Sequence, residues 1–304
     1  MNHFENVAVF MGGWSAERAV SLNSGQAVFD ALSRQGINVT AIDVDRNLCQ
    51  QLEKKQFSHV FNMLHGRGGE DGVIQGFLDV LGIPYTGTGV LGSALTMDKF
   101  RCKQLWRGLS LPTPDFLELK NETNCEQALE SLGLPLMIKP VLEGSSIGIS
   151  KVREKNEMLP AWEVAKKCGG VIIAEKFIQG KEYTAAILNG EVLPMIQLKT
   201  AREFYDYKAK YISDDTQYIC PCGLTEEVES ELAELMLQAF KSTMCEGWGR
   251  VDFMLDKNQQ PWLIEVNTVP GMTDHSLVPM AAKQAGMSFE NLVLKILEGA
   301  SFNA

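Results

Sequence analysis

The stretch that decides the fold is residues 247–273, GWGRVDFMLDKNQQPWLIEVNTVPGMT. Two short segments rich in branched and aromatic residues, 251–255 and 261–267, flank the polar loop 257–260. Such segments favour strands, and a short polar loop between them is typical of a β-hairpin. The pattern therefore predicts two antiparallel strands that end in a glycine-containing corner.

The hairpin register predicts a cluster of oxygen ligands. If Asp256 pairs with Pro261, then Asp252 lies opposite Glu265, and Asn267 falls on the same face. Opposed Cβ atoms on antiparallel strands are about 5 Å apart, a spacing that one or two Mg²⁺ ions can bridge. The alternative is a solvated face with scattered charges. The other face is expected to enter a core, through Val251, Phe253, Leu255, Ile264 and Val266.

Composition and charge narrow the class of protein. With 304 residues, 45% of them hydrophobic and 22% charged, the chain resembles a soluble enzyme of two or three domains. A net charge of −10 provides no basic stripe, so no nucleic acid partner is expected. No apolar segment reaches the roughly 18 residues that a membrane span needs, so we expect no membrane partner and a cytoplasmic location. The seven scattered cysteines predict free thiols.

The first third of the chain alternates strands and helices. Strands are predicted over 7–11, 38–44 and 59–64, and this alternation favours a parallel sheet with helices on both faces. Ligands of such sheets bind at the carboxyl ends of the strands. Loops that carry Glu17 and His65 follow two of these ends, so we expect both side chains to face one cleft.

A glycine pattern at residues 87–92 matches GxGxxG, the fingerprint of dinucleotide sites. That fingerprint belongs in the first strand-to-helix turn, with another strand after the helix. Here the helix predicted over 93–108 leads instead to the proline-containing segment 111–114. We therefore interpret the glycines as a bend at a domain boundary, and no P-loop pattern occurs in the chain.

A second glycine-containing loop, EGSSIG at 143–148, lies between strands predicted over 136–139 and 149–152. A loop of this kind can lie over phosphates and donate backbone N–H groups to them. The alternative is a plain hairpin turn. The nearby cations of Lys139 and Lys176 favour the phosphate interpretation.

Motifs spread over nearly the whole chain resemble those of the D-alanine-D-alanine ligases. They are GGWSAE at 12–17, HG at 65–66 with GEDG at 69–72, MDK at 97–99, IKP at 138–140, EGSSIG at 143–148 and EVNTVPGMT at 265–273. The resemblance implies an ATP-grasp fold of the α/β class. Its parts would be an N-terminal parallel-sheet, Rossmann-like domain (1–96), a central α+β subdomain (97–179) and a C-terminal α+β subdomain (180–304) that clamps ATP with the central one. The C-terminal part would hold the metal site and, over 204–217, a lid.

The resemblance also implies a reaction. Carboxylates and amines do not condense spontaneously at neutral pH, because the oxide leaving group is poor. The family overcomes this with ATP: one D-alanine becomes an acyl phosphate, and the amine of a second attacks it, for peptidoglycan precursor synthesis. Two Mg²⁺ ions, which Mn²⁺ can replace, would neutralise the phosphate oxygens. A homodimer is expected from the family.

By the same resemblance, the metal ligands would be Asp252, Glu265 and Asn267, in agreement with the hairpin register. Phosphates would be bound by Lys99, Lys139, Lys176 and Lys210 and by the loop of Ser145 and Ser146. The adenine would be bound at Glu175 and Ile178, and the ribose at Glu182.

For the two amino acids, the resemblance implies that Glu17, with His65 nearby, receives the ammonium group of the first. Ser276 and the N–H of Leu277 would bind the carboxylate of the second. Arg250 and the N–H of Gly271 would stabilise the oxyanion of the tetrahedral intermediate.

Tyr211 bears on the second substrate. In the family, tyrosine at this lid position accompanies dipeptide ligases, and phenylalanine accompanies ligases that form the D-alanyl-D-lactate ester. A tyrosine hydroxyl linked through Ser145 to Glu17 predicts amide formation. A different ATP-grasp carboxylate-amine ligase, similar to glutathione synthetase, is the alternative enzyme. It does not predict Glu17, Ser145, Tyr211 and Ser276 together, and a nucleotide-binding regulatory module would have lost metal or lysine ligands.

Overall fold

A computed structural model describes residues 4–52, 56–144, 147–199 and 216–301. The predictions for Ser145, Ser146, Lys210 and Tyr211, and most of the predicted lid, lie outside these residues. None of the helices within the described ranges is long and apolar enough to cross a membrane.

The N-terminal part forms the predicted parallel sheet, with strand order β2-β1-β3. Every residue of β1 is buried, as expected for a central strand covered on both faces. The strands are β1 (Val7–Gly12), β2 (Val39–Val44) and β3 (His59–Asn62), and the helices are α1 (Arg18–Arg34), α2 (Leu48–Leu52), α3 (Val73–Leu81) and α4 (Val90–Met97).

The turn after β1 brings two strand ends together. Gly12 has φ +83°, a conformation that favours glycine, and a Cβ there would lie 2.1 Å from an Asp43 carboxylate oxygen. The N–H of Gly12 donates to the Ser21 hydroxyl over 2.8 Å, and that hydroxyl donates to the Met63 carbonyl over 2.7 Å. Ser21 thus links β1, α1 and the end of β3, and the turn delivers Glu17 beside the His65 loop.

The helix predicted over 93–108 is in fact two helices, so that prediction is wrong. The helix is interrupted at Asp98, whose φ and ψ of −90° and 92° are extended. Asp98 accepts a hydrogen bond from the N–H of Arg101. A carboxylate in this position caps the helix that follows, α5 (Lys99–Gly108). Lys99 is consequently the first residue of α5, and Lys103 follows one turn later.

The central part is an antiparallel sheet with strand order β4-β7-β5-β6. Two helices pack on one face of it through a core that includes Ile138, Ala174 and Trp162. The strands are β4 (Phe116–Glu118), β5 (Leu136–Pro140), β6 (Ser150–Val152) and β7 (Ile172–Lys176), and the helices are α6 (Glu122–Leu132) and α7 (Met158–Lys166).

The third sheet has strand order β11-β10-β8-β12-β13, with β9 paired to β8. Its strands are β8 (Gly180–Leu188), β9 (Glu191–Val192), β10 (Ile196–Lys199), β11 (Gln217–Ile219), β12 (Trp248–Asp256) and β13 (Pro261–Asn267). One face packs on α8 (Glu226–Ser242), and the chain continues into α9 (Leu277–Gln284) and α10 (Phe289–Glu298). The single final helix predicted from Leu277 onward is therefore two helices.

The predicted hairpin is confirmed, with a change in its register near the turn. Asp252 faces Glu265 as predicted, but Leu255 rather than Asp256 faces Pro261. A β-bulge between Asp252 and Phe253 restores the predicted pairing farther from the turn. A bulge places two residues of one strand opposite one of the other, which periodicity alone does not reveal.

The bulge also changes which side chain enters the core. Leu263, which faces Phe253, is completely buried, whereas Ile264 is only half-buried. The expectation that Ile264 enters the core is therefore wrong, and Leu263 takes that place. Val251, Leu255 and Val266 are buried as predicted, so the polar face beyond the bulge keeps its predicted composition.

The C-terminal helices join the core of the N-terminal part. Leu292 and Ile296 of α10 belong to the same buried cluster as Val28 and Leu32 of α1. This packing holds the N-terminal sheet against the third sheet. The predicted domain boundaries after residues 96 and 179 stay a prediction, although each of the three sheets lies within one of those ranges.

Candidate active site

A cavity of about 510 Å³ lies where the N-terminal sheet, the loop before β6 and the β12–β13 hairpin meet. Its walls combine an acid, an imidazole, cations and the start of a helix. The predicted site residues that line it are Glu17, His65, Lys99, Arg250, Glu265, Asn267, Gly271, Ser276 and Leu277. The structure thus brings together most of the residues predicted for amino acid binding, as expected from the strand ends.

Two backbone segments pack against the carboxylate of Glu17. A Cβ on Gly144 would lie 2.8 and 3.0 Å from the two carboxylate oxygens, and one on Gly66 would lie 2.9 Å from Oε2. Gly144 belongs to the glycine-containing loop of the central sheet, so that loop reaches the N-terminal part at Glu17. Side chains at these two positions would displace the carboxylate.

His65 is buried in the cavity wall and is 6% exposed. Burial lowers the pKa of His65 to about 4, although the negative charge of Glu17 opposes this and Arg250 adds to it. The imidazole is therefore neutral at physiological pH. Both ring nitrogens are themselves buried, so the imidazole forms part of the cavity wall.

Glu70 lines the same cavity and was not predicted as a site residue. Burial and the charge of Glu17 raise the pKa of Glu70 to about 8, so its carboxyl group is largely protonated at neutral pH. The N–H of Gly66 donates to its Oε2 over 2.6 Å. The position of Glu70 in the GEDG motif after β3 could have identified it as a site residue, because an acid in a glycine-rich loop at a strand end is placed to face a ligand.

Asp252 lies at the centre of the polar face of the hairpin. Arg250 binds it through two nitrogen–oxygen contacts of 2.8 Å each. The Thr184 hydroxyl donates to it over 2.6 Å, and the Asn267 amide donates over 3.0 Å. Asp252 is 8% exposed and lies behind the residues that line the cavity.

Lys99 connects the hairpin with the glycine-containing loop. Its Nζ lies 3.3 Å from Oε2 of Glu265 and donates to the carbonyl of Glu143 over 2.9 Å. Each carboxylate of the predicted metal site is thus balanced by a cation, Glu265 by Lys99 and Asp252 by Arg250.

The predicted metal ligands fit Mg²⁺ by donor type and pairing. Two carboxylates and one amide supply the hard oxygens that Mg²⁺ prefers, and Asp252 faces Glu265 across the two strands. Over the described residues, no group of three or more His, Cys, Asp or Glu side chains is placed to hold a metal, since the third ligand here is an asparagine. A bound divalent ion would compete with Arg250 and Lys99 for the carboxylates.

A second charged group lies on the central sheet. The β5–β7 register places Lys139 and Glu175 on one face, where they form an ion pair. Lys103 of α5, which was not predicted, contacts the other carboxylate oxygen at 2.6 Å. Burial by itself raises the pKa of Glu175, but the two lysines outweigh it and hold the pKa below its usual range.

Three further described residues that are predicted to bind ATP, Lys176, Ile178 and Glu182, are not among the residues that line the cavity. Lys176 follows Glu175 in β7, so its side chain points to the opposite face, where it is exposed. Ile178 is buried just beyond the strand. Glu182 faces Met254 in the third sheet, on the same face as Asp252. Their roles, like those of Ser145, Ser146, Lys210 and Tyr211, stay predictions.

The corner after the hairpin forms the remaining wall. The N–H of Thr273 donates to the Ser276 hydroxyl over 2.9 Å, and a Cβ on Gly271 would lie 3.0 Å from that oxygen. The N–H of Met272 donates to Ser24 of α1 over 3.0 Å, which ties the corner to the N-terminal part. Leu277 begins α9, and the first amides of a helix lack intrahelical acceptors and favour anions.

Comparisons with known proteins agree with this architecture. The family described as "D-ala D-ala ligase C-terminus" matches residues 105–298, and "D-ala D-ala ligase N-terminus" matches residues 46–88. D-alanine--D-alanine ligase of Nitrosococcus oceani is 55% identical over 291 residues, covering 96% of this chain and 92% of the relative. The Pseudomonas putida (strain GB-1) D-alanine--D-alanine ligase is 54% identical over 294 residues, covering 97% and 92%.

Solved structures give the same result for the fold. D-alanine--D-alanine ligase of Bacillus anthracis, complexed with ATP, superposes with a TM-score of 0.86 at 32% identity over 97% of both chains. VanG D-Ala:D-Ser ligase of Enterococcus faecalis has a TM-score of 0.86 at 30% identity, covering 97% of this chain and 99% of that one. With its three sheets arranged as an ATP-grasp fold, the chain belongs to the D-alanine-D-alanine ligase family.

Proposed function

We propose that this chain performs the reaction of its family, the ATP-dependent joining of two D-alanines into D-alanyl-D-alanine for peptidoglycan precursors, in the 510 Å³ cavity. The observation that carries the site assignment is the arrangement of charges in that cavity. The carboxylate of Glu17, the guanidinium of Arg250 and the start of α9 all line it. An amino acid has an ammonium group and a carboxylate, and these walls offer a partner for each.

Glu17 receives the ammonium group of the first D-alanine, beside the neutral imidazole of His65. The Ser276 hydroxyl and the N–H of Leu277 bind the carboxylate of the second, since a helix N-terminus favours an anion. The contact of Gly144 with Glu17 supports this orientation, because the loop that follows Gly144 is the one assigned to the phosphates.

ATP would contact the central and third sheets. Lys99, Lys139, Lys176 and Lys210, with the loop of Ser145 and Ser146, hold the phosphates; Glu175 and Ile178 adjoin the adenine, and Glu182 adjoins the ribose. Two Mg²⁺ ions, or Mn²⁺, held by Asp252, Glu265 and Asn267, would supply charge neutralisation at the phosphate oxygens. The register that sets Asp252 opposite Glu265 supports this ligand set.

In the first step, the carboxylate oxygen of the first D-alanine attacks the γ-phosphorus, and ADP leaves. The ammonium group of the second D-alanine loses a proton, and the resulting amine attacks the acyl carbon. Negative charge develops on the carbonyl oxygen, and Arg250 and the N–H of Gly271 stabilise it. The nitrogen then loses a second proton, the bond between the acyl carbon and the phosphate oxygen breaks, and inorganic phosphate leaves the amide product.

The fold does not decide the second substrate, since VanG D-Ala:D-Ser ligase superposes as well as the D-alanine--D-alanine ligase of Bacillus anthracis, with a TM-score of 0.86 for each. The test is phosphate release from MgATP with D-alanine, L-alanine, D-alanine plus D-serine, or D-alanine plus D-lactate, with products identified by mass. We expect release with D-alanine and the dipeptide as product. A mixed product with D-serine or D-lactate as the main species would contradict the specificity, and release with another acid and amine alone would indicate a different ATP-grasp ligase.

We also infer a homodimer. Val73 and Val80 of α3 and Leu91 of α4 are 57%, 86% and 62% exposed, an apolar surface that a second copy could cover. Light scattering should give twice the chain mass, and Val80→Glu should lower it. We also propose a cytoplasmic location, which the proposed use of ATP supports, and the free thiols of all seven cysteines suit a reducing compartment.

A further inference from the structure

Lys103 lies in the most deeply buried charged cluster of the described chain. Its side chain is 1% exposed, and those of Glu175 and Lys139 are 3% and 10% exposed. The carboxylate of Glu175 lies between the two lysines, with Oε2 at 2.6 Å from Lys103 and Oε1 in contact with Lys139. Such an arrangement is costly to bury unless each charge is paired.

The ammonium group of Lys103 has three oxygen neighbours, one of them the carboxylate of Glu175 in an ion pair. Besides Glu175, it donates to the Thr113 hydroxyl over 2.8 Å and to the Leu263 carbonyl over 3.3 Å. Leu263 lies at the bulge of the hairpin, two residues before Glu265. Lys103 therefore joins the central sheet to the hairpin through one ion pair and two hydrogen bonds.

The cluster of two lysines and one glutamate has a net charge of +1. Without Lys103, Lys139 and Glu175 would form a neutral pair, and an incoming phosphate would have to compete with Glu175 for Lys139. With Lys103 present, the carboxylate of Glu175 remains paired with a cation even when Lys139 binds a phosphate.

We propose that Lys103 is a positioning residue for the nucleotide phosphates: it retains Glu175 and thereby releases the charge of Lys139 for ATP. This proposal rests on the phosphate-binding role proposed above for Lys139. Lys103 itself does not contact the nucleotide. Burial lowers the pKa of Lys103, and the charge of Glu175 opposes that effect, so each partner keeps the other ionised.

Equilibrium binding of ADP and of adenosine to the full chain, in the absence of divalent metal, tests the proposal. The ratio of the two affinities reports the phosphate contribution alone, because loss of the adenine site would weaken both ligands. The variants are Lys103→Met, Lys139→Met, the double variant Lys103→Met with Glu175→Gln, and Lys166→Met. Lys166 is an exposed lysine on α7 and controls for net charge.

We expect Lys103→Met to lower the affinity for ADP at least about tenfold, because one unit charge is lost from the cluster. The affinity for adenosine should stay within about twofold of the wild-type value, since adenosine has no phosphates. Lys139→Met should do the same, and Lys166→Met should change neither. The double variant restores the +1 charge, so its ADP-to-adenosine ratio should return to within about threefold of the wild-type ratio. A merely structural role for Lys103 would weaken the binding of adenosine as well as that of ADP, and so would leave the ratio unchanged.

The outcomes separate two kinds of failure. If Lys139→Met keeps the wild-type ratio, the phosphate-binding role proposed for Lys139 is wrong, and the proposal for Lys103 fails with it. If Lys139→Met loses the phosphate contribution while Lys103→Met keeps it, only the role of Lys103 is overturned. Equal loss of ADP and adenosine in Lys103→Met, or a double variant that stays as weak as the single one, would also overturn that role.

Discussion

Arg250 and Asp252 lie two residues apart on β12 and are joined by two nitrogen–oxygen contacts of 2.8 Å. Alternation along the strand places both side chains on the face that looks toward the cavity. The guanidinium is 12% exposed and lines the cavity, while Asp252 lies behind it. The carboxylate thus orients a cation toward the position where negative charge is expected to develop.

Replacing Arg250 should slow catalysis. Arg250→Met removes a proposed oxyanion donor, so kcat for dipeptide formation should fall about 100-fold or more. Lysine should not rescue it, because the planar two-point contact with Asp252 is lost. Steady-state kinetics with D-alanine checks this. The control is Arg34→Ala, which removes an exposed ion pair to Glu290 far from the cavity and should leave kcat within about twofold. Comparable rates for Arg250→Met and Arg34→Ala would exclude the proposed role.

Gly144→Ala should weaken the first D-alanine site. The new methyl group would lie 2.8 Å from a carboxylate oxygen of Glu17, closer than van der Waals contact allows. We expect KM for the first D-alanine to rise about tenfold while the folded structure persists. Gly108→Ala is the matched control, because a Cβ there has open space. Equal KM values for both variants would contradict the assignment of Glu17.

Glu70 should make stability depend on pH. Its pKa rises from 4.5 to about 8 on folding because of burial and the charge of Glu17. Between these values the folded chain holds a proton that the unfolded chain has released, so the stabilisation is present below pH 4.5 and is lost as pH rises through about 8.

Glu70→Gln should remove the contribution of Glu70 to the pH dependence of the free energy of unfolding. Urea unfolding from pH 5.5 to 8.5 should show a smaller decrease in the free energy of unfolding for Glu70→Gln than for the wild type, whereas Glu126→Gln on exposed α6 should follow the wild type. Parallel curves for wild type and Glu70→Gln would disprove the raised pKa.

The bulge can be tested by paired truncations. Leu263 is fully buried, so Leu263→Ala should lower the free energy of unfolding by about 2–5 kcal/mol. Ile264 is the unpaired residue of the bulge and only half-buried, so Ile264→Ala should cost clearly less. Urea unfolding of both variants measures the difference. A greater loss for Ile264→Ala would favour the unbulged register.

The sequence alone determined the parts that depend on local pattern. Alternating strands and helices predicted the parallel sheet, and two β-rich segments around a polar loop predicted the hairpin that sets Asp252 opposite Glu265. Glycines at strand ends placed Glu17 and His65 beside one cleft. These features were predictable because side-chain periodicity and backbone conformation depend on neighbouring residues.

Only the tertiary structure decided the features that depend on distant residues. The helix interruption at Asp98 places Lys103 in a separate helix, α5. Its ion-pair partner, Glu175, is 72 residues away in the sequence. The pKa of Glu70 depends on burial and on the charge of Glu17, neither of which a motif encodes. The bulge at Ile264 likewise accompanies the packing of Leu263 in a core shared with distant residues. Burial and electrostatics are properties of the assembled chain, and sequence pattern cannot supply them.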